Sequence, residues 1–216
     1  MTHSPYRHII WDWNGTLLDD LEVCITVMNR LLAHRGLTLL DRPRYHALFG
    51  FPVSRYYEGL GFDPRTDPFA KVSVEFIAGY EARRLEATLQ PHARATLRAM
   101  GAAGLGQSIL SAYRQETLRE IVAHFELTEH FGEIVGLDNI HAHSKVALGR
   151  DLLAKLAVAP SEILLVGDTL HDLEVARDLG VACALVSAGH HPAERLRASG
   201  APVFENLAAF AAAHGF

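Results

Sequence analysis

Lysine is scarce in this chain. Three of its twenty basic residues are lysines, Lys71, Lys145 and Lys155, and acidic residues outnumber basic ones to give a formal net charge of −5. With no basic stretch to track a phosphate backbone, nucleic acid is excluded as a primary partner. Cysteine is scarcer still. Cys24 and Cys183 stand far apart and in no metal-type or redox-type pair, which predicts two buried free thiols in a reducing compartment and no disulfide framework. No apolar run approaches the ~20 residues of a membrane helix. The opening residues, MTHSPYRHIIWDW, have neither the long apolar core nor the small-residue cleavage site of a signal peptide. A cytoplasmic location with no membrane partner is the expectation.

What is present is ordinary for a globular protein. The 216 residues are 49% hydrophobic and 21% charged, which argues against disorder. The length suits one large domain, or a core domain with a smaller insert, and buries a core without staples. Internal repeats and low-complexity linkers are both missing.

Two patterns divide the chain. Arg7–Asp12 is a short apolar run that ends in a turn at Asn14-Gly15-Thr16. From Leu18 to Leu89 apolar residues recur at helical spacing: Leu21 to Leu32 closing at Arg35-Gly36, then Ser54–Leu60 and Pro68–Leu89, with no strong strand. The remainder alternates. Strand runs at Gln107–Ser111, Glu133–Leu137, Ile163–Gly167, Val181–Val186 and Ala201–Phe204 are separated by helices at Gln115–Phe125, Val146–Ala157 and Leu173–Leu179, the last closed by Gly180. This predicts an α/β core, residues 1–17 and 90–216, built on a parallel sheet with helices on both faces, and an all-helical insert over residues 18–89. In such sheets ligands bind beyond the carboxyl ends of the strands.

Three strand ends carry polar groups. Asp12 and Asn14 follow the first strand, Ser111 ends the second, and Asp168 and Asp172 follow Ile163–Gly167; Lys145 opens the helix between the latter two. Each residue alone has an ordinary explanation: a turn or capping aspartate for Asp12 and Asp168, a solvated one for Asp172, a strand-end hydroxyl for Ser111, a surface lysine for Lys145. Together they answer the needs of phosphoryl transfer, which are an oxygen nucleophile, a hard cation and donors for the non-bridging oxygens. Asp12 is the candidate nucleophile. Asp12, Asp168, the Asn14 backbone carbonyl and Asp172, directly or through water, are the candidate ligands of Mg2+, which prefers oxygen. Ser111 and Lys145 are the candidate phosphate donors, and Lys145 also offsets charge between carboxylates and phosphate.

Asp12-Trp13-Asn14-Gly15-Thr16-Leu17-Leu18 resembles the first motif of the haloacid dehalogenase superfamily. Ile109-Leu110-Ser111 is similar to its second, Lys145 to its third and Val166-Gly167-Asp168-Thr169-Leu170-His171-Asp172 to its fourth. The likeness covers nearly the whole chain. The helical insert resembles the C1-type cap of the phosphoglycolate phosphatase-like branch. The resemblance implies a Rossmann-like core, magnesium dependence, an aspartyl-phosphate intermediate and a small phosphorylated metabolite as substrate. It leaves oligomeric state open.

Asn14 departs from the pattern, because phosphatases of this family usually carry there a second aspartate that protonates the leaving oxygen and then activates water. An amide cannot exchange that proton, and general acid–base catalysis is worth roughly 10²–10⁴-fold. Four readings follow: a phosphatase confined to acidic leaving groups such as acyl phosphates; one whose proton comes from His171, His190 or His191; a weak or inactive phospho-ligand binding protein; or another reaction on the same fold. A metal-free dehalogenase leaves Asp168 and Asp172 unexplained. A phosphonatase needs a cap lysine for a Schiff base, and the insert offers Lys71. His141 and His143, with Asp138, form a thin zinc set better read as a polar loop. In the insert, Phe49-Gly50-Phe51-Pro52 and Ser54-Arg55-Tyr56-Tyr57 offer two readings of equal weight. Arg55 and the aromatics meet an anionic substrate, or Phe51 and Tyr56 pack internally and Arg55 is solvated.

Overall fold

The computed structural model of the protein describes residues 5–137 and 145–215, so Asp138, His141 and His143 lie outside the described residues. The strands are β1 (His8–Trp11), β2 (Leu18–Asp19), β3 (Thr88–Leu89), β4 (Gly106–Arg114), β5 (Glu133–Leu137), β6 (Ile163–Gly167), β7 (Ala182–Val186) and β8 (Val203–Phe204). The helices are α1 (Leu21–His34), α2 (Arg42–Leu48), α3 (Val53–Leu60), α4 (Phe69–Glu81), α5 (Ala93–Ala102), α6 (Gln115–His124), α7 (Lys145–Lys155), α8 (Leu170–Leu179), α9 (Ala193–Arg197) and α10 (Leu207–Ala213).

Six strands form one parallel sheet in the order β5-β4-β1-β6-β7-β8. β1 and β6 are buried along their whole length, as strands covered on both faces must be. On one face Ile10, Leu110 and Leu165 pack with Leu148 and Leu152 of α7 and Val175, Ala176 and Leu179 of α8. On the other, Trp11 meets Phe210 of α10 edge-on at 5.6 Å, and α5 packs against α10. This is the Rossmann-like α/β architecture expected of the core. β2 and β3 pair as a separate two-stranded sheet.

The chain falls into two compact units, Met1–Leu18 with Leu89–Phe216, and Asp19–Thr88. The second holds α1 to α4. Within it, Arg35 binds Asp67 and Glu75, each at 2.8 Å, and lies over the Phe62 ring. Tyr45, Phe49 and Tyr56 form an aromatic group whose centroids are 4.9–5.9 Å apart, and the Tyr80 hydroxyl donates to Asp20 at 2.8 Å.

Several local expectations need correction. The Pro68–Leu89 stretch is not one helix: α4 stops at Glu81, a short 3-10 turn follows, and Thr88–Leu89 is strand. Its apolar residues past Glu81 carry no continuous helical stripe. Helices α2, α5, α9 and α10 were not legible; α2, α9 and α10 run for only five to seven residues, too few to show a periodic stripe. β4 does not end at Ser111; it runs to Arg114 through an irregularity between Leu110 and Arg114. There the Gln115 side chain replaces the departing strand, donating to the Ile134 carbonyl at 2.9 Å and accepting from the Gly136 N–H at 2.6 Å.

Candidate active site

β1 and β6 lie side by side with Trp11 opposite Val166. That register brings Asp12 level with the end of β6, and the Asp12 N–H donates to the Val166 carbonyl at 2.8 Å. Asp168 is one residue further on. Asp12, Asp168 and Asp172 are all buried, and one carboxylate oxygen of each lies within 4.8 Å of the others.

Lys145, buried at the start of α7, joins two of them. Its Nζ donates to Asp12 Oδ1 at 2.5 Å and to Asp172 Oδ1 at 2.7 Å. Asp172 is also part of a capping box: its Oδ2 accepts from the Thr169 N–H at 3.0 Å and the Thr169 hydroxyl at 2.7 Å. The N-cap is therefore Thr169 rather than Asp168, and Asp172 is the buried N3 partner of the capping box rather than a solvated residue. With both oxygens of Asp172 engaged, it anchors Lys145 as well as the helix.

Burial raises the Asp12 carboxyl to about 7; Lys145 opposes the shift, and Asp172 and Asp168 add to it. Asp168 is pushed up to about 6 by burial, against the pull of His190 and with repulsion from Asp172. Burial also works against the charge on Asp172, but Lys145 and the Thr169 bonds outweigh it and hold this carboxyl below its usual range. Lys145 is raised because the same carboxylates overcome its desolvation. Three carboxyl groups face one ammonium in a buried cluster, an arrangement whose fully ionised form a divalent cation would stabilise. The donor set, all oxygen, suits a hard cation.

Several residues of the cluster were missed in the sequence. Thr16 donates to Asp168 Oδ1 at 2.9 Å, and the His190 N–H donates to Oδ2 at 2.6 Å. Gly15 has φ +77°, and a Cβ there would stand 2.3 Å from Asp168 Oδ2. A Cβ on Gly189 would stand 2.2 Å from the same oxygen and 2.5 Å from the Gly15 carbonyl. The Asn-Gly-Thr turn gave a signal for Gly15 and Thr16, and His190 was named for its ring as a proton carrier; its backbone donation and Gly189 left no sign in the sequence. The turn itself is tied by the Trp13 carbonyl, which accepts from the N–H groups of Thr16, Leu17 and Leu18.

Ser111 is buried in the irregular part of β4, and its hydroxyl accepts from the Tyr113 N–H at 3.1 Å. Asn14 is half-buried in the turn. His191 Nδ1 accepts from the Leu170 N–H at 3.1 Å, which leaves its ring proton on Nε2. His171 is half-buried, with Nδ1 3.4 Å from Glu174. In the helical unit, Arg55 is exposed on α3 and Tyr56 is buried in the aromatic group; Phe51 is exposed with its ring edge-on to Phe49. Lys71 is an exposed lysine 3.2 Å from Asp67, one turn away, an ordinary surface pair.

The site is thus a buried carboxylate at the end of a central parallel strand, set against a lysine and two further aspartates. The model of the haloacid dehalogenase-like hydrolases matches residues 9–186, and the chain belongs to that family. It is an enzyme of the phosphatase class, in the phosphoglycolate phosphatase-like branch. It is 30% identical over 214 residues to a 5'-nucleotidase of Pseudomonas aeruginosa, covering 89% of this chain and 88% of that one. It is 25% identical over 190 residues to a phosphoglycolate phosphatase of Pseudomonas syringae, covering 85% and 70%. It is also 25% identical to the tyrosine-protein kinase PtkA of Mycobacterium tuberculosis, where it spans 64% of that protein's length. A solved structure of PtkA superposes with a TM-score of 0.81 at 24% identity, covering 99% of both chains. Among the described residues no helix is long and apolar enough to cross a membrane.

Proposed function

We propose that the protein is a magnesium-dependent phosphatase of a small phosphorylated metabolite, working through an aspartyl phosphate on Asp12. The observation that carries this is the contact of Asp12 with Lys145 inside a buried three-carboxylate cluster. Bound Mg2+ would screen the phosphate charge and polarise the phosphoryl oxygens. Asp12, Asp168 and the Asn14 backbone carbonyl are its proposed ligands, with Asp172 acting through water or through Lys145.

In this reading Asp12 attacks phosphorus with one carboxylate oxygen and the leaving oxygen departs. Lys145 opposes the effect of burial on Asp12 and donates to a non-bridging oxygen, as does the Ser111 hydroxyl. Asn14 cannot protonate the leaving oxygen or take a proton from water, so both half-reactions are slowed; an acidic leaving group relieves the first, while hydrolysis of the aspartyl phosphate stays slow for every substrate. The inserted helical unit serves as the substrate-selecting cap, with Arg55 the residue offered to an anionic substrate.

The test is phosphate release from a panel of phosphate monoesters and acyl phosphates, with and without Mg2+, for the wild type and Asp12→Ala. Magnesium-dependent release lost in the variant supports the proposal; no release from any compound sinks it.

Asn14 favours a second reading, in which the phosphoryl group stays on Asp12. The protein is then a weak enzyme that mainly binds a phosphorylated ligand or passes the group to an acceptor other than water. Mass spectrometry after exposure to acetyl phosphate separates the two, since a stable aspartyl phosphate belongs to the second.

A further inference from the structure

Gln90 stands one residue after the chain returns to the α/β unit at Leu89, and the cluster of Asp12, Asp168, Asp172 and Lys145 does not include it. It is buried. Its Nε2 donates to the Gly15 carbonyl at 3.0 Å and, more weakly, to the Ala188 carbonyl at 3.4 Å. Its backbone N–H donates to the Leu17 carbonyl at 2.9 Å. One residue therefore grips the 14–17 turn at two points and the 187–191 loop at a third.

Those two segments are the ones that meet at Asp168. Thr16 comes from the turn and the His190 N–H from the loop, and each donates to a different oxygen of that carboxylate. The contact between Gly15 and Gly189 is too close for any Cβ. A spacing this tight is fixed by what ties the backbones together. Gln90 supplies side-chain ties to both, and its two amide protons account for both bonds.

We propose that Gln90 is a positioning residue for the cation site: it sets the distance between the turn that carries the Asn14 carbonyl and the loop that orients Asp168. This rests on the proposed divalent cation, so the test reads cation binding directly. Outer partners of ligating groups typically contribute about 10–100-fold in metal affinity.

Gln90→Met keeps the length and removes both donors. Binding of Mn2+ as the probe is followed by electron paramagnetic resonance, and of Mg2+ by calorimetry. The expected result is affinity weakened by about 10-fold, with magnesium half-saturation of turnover shifted equally and activity recovered at high Mg2+. Thr96→Val, which removes another buried bond of the same unit to the Leu207 carbonyl, should lower the melting temperature without moving cation affinity. If Gln90→Met fails to fold, Gln90→Asn, which keeps an amide but is too short to span both carbonyls, is expected to weaken affinity in the same direction. Wild-type affinity in a folded Gln90 variant overturns the proposal. Failure of the wild type itself to bind either cation, with Asp168→Asn no different, overturns the cation reading as well and is distinguishable from the first result.

Discussion

The ammonium of Lys145 stands 2.5 Å from Oδ1 of Asp12, and both groups are buried. Both charges have lost most of their contact with water, so each depends on the other. Asp172, 2.7 Å away, completes the neighbourhood. Lys145→Met should therefore leave two buried carboxylates without a counter-charge. Breaking a buried pair in this way costs about 3–5 kcal/mol, which urea denaturation would measure. Adding Asp12→Asn to the same chain should restore part of the loss, and no restoration would show that the pair is not coupled.

Asn14→Asp supplies the missing proton carrier. Turnover of ordinary phosphate esters should rise through both half-reactions, by up to about 10²-fold, and that of acyl phosphates through hydrolysis of the aspartyl phosphate alone, because their leaving groups need no proton. Steady-state kinetics on one compound of each kind checks this. Equal turnover of both substrates by wild type and variant would mean that another group already moves the proton.

Gly15→Ala asks for a left-handed backbone at a residue with a Cβ, about 1–3 kcal/mol of strain, and drives that Cβ into Asp168. Stability should fall and Mg2+ affinity should fall with it. A variant that loses stability but binds Mg2+ normally would show that Asp168 yields without cost.

Cation and proton should compete. Without a cation, Asp12 titrates near 7 and Asp168 near 6, both above the ordinary 3.8. The folded chain then holds protons that the unfolded chain has released, so these groups lower stability as pH rises from about 4 to 7. His8, lowered to about 4 by burial at the opposite end of β1, contributes the reverse slope, but it does so with or without a cation. The rise in melting temperature on adding Mg2+ should therefore be larger at about pH 8 than at about pH 5. An equal rise at both would separate the cation from Asp12 and Asp168.

The sequence was informative where chemistry and hydrophobic pattern coincide. The core strands announced themselves as short apolar runs, and Asp12, Lys145, Asp168 and Asp172 stood at their ends or at a helix start. Less visible was anything set by tertiary approach. Ser111 lies within β4 rather than at its end because the strand resumes pairing with β5 at Arg114 after an irregularity, an event no local pattern encodes. Gly189, His190 and Gln90 act through backbone groups and close packing, and the residues they serve are distant in sequence. The capping box at Thr169 was written in the sequence as Thr-x-x-Asp, but the nearer Asp168 masked it.

β1 occupies the middle of the sheet, yet it is made first. Its two partners begin at Gly106 and Ile163, and the whole helical unit is synthesised in between. On the ribosome, then, Asp12 emerges long before any group that can compensate its burial. β1 has to wait for β6, and pairings of such separation are slow to form. The helical unit, made of near neighbours in sequence, is complete before β6 exists to pair with β1.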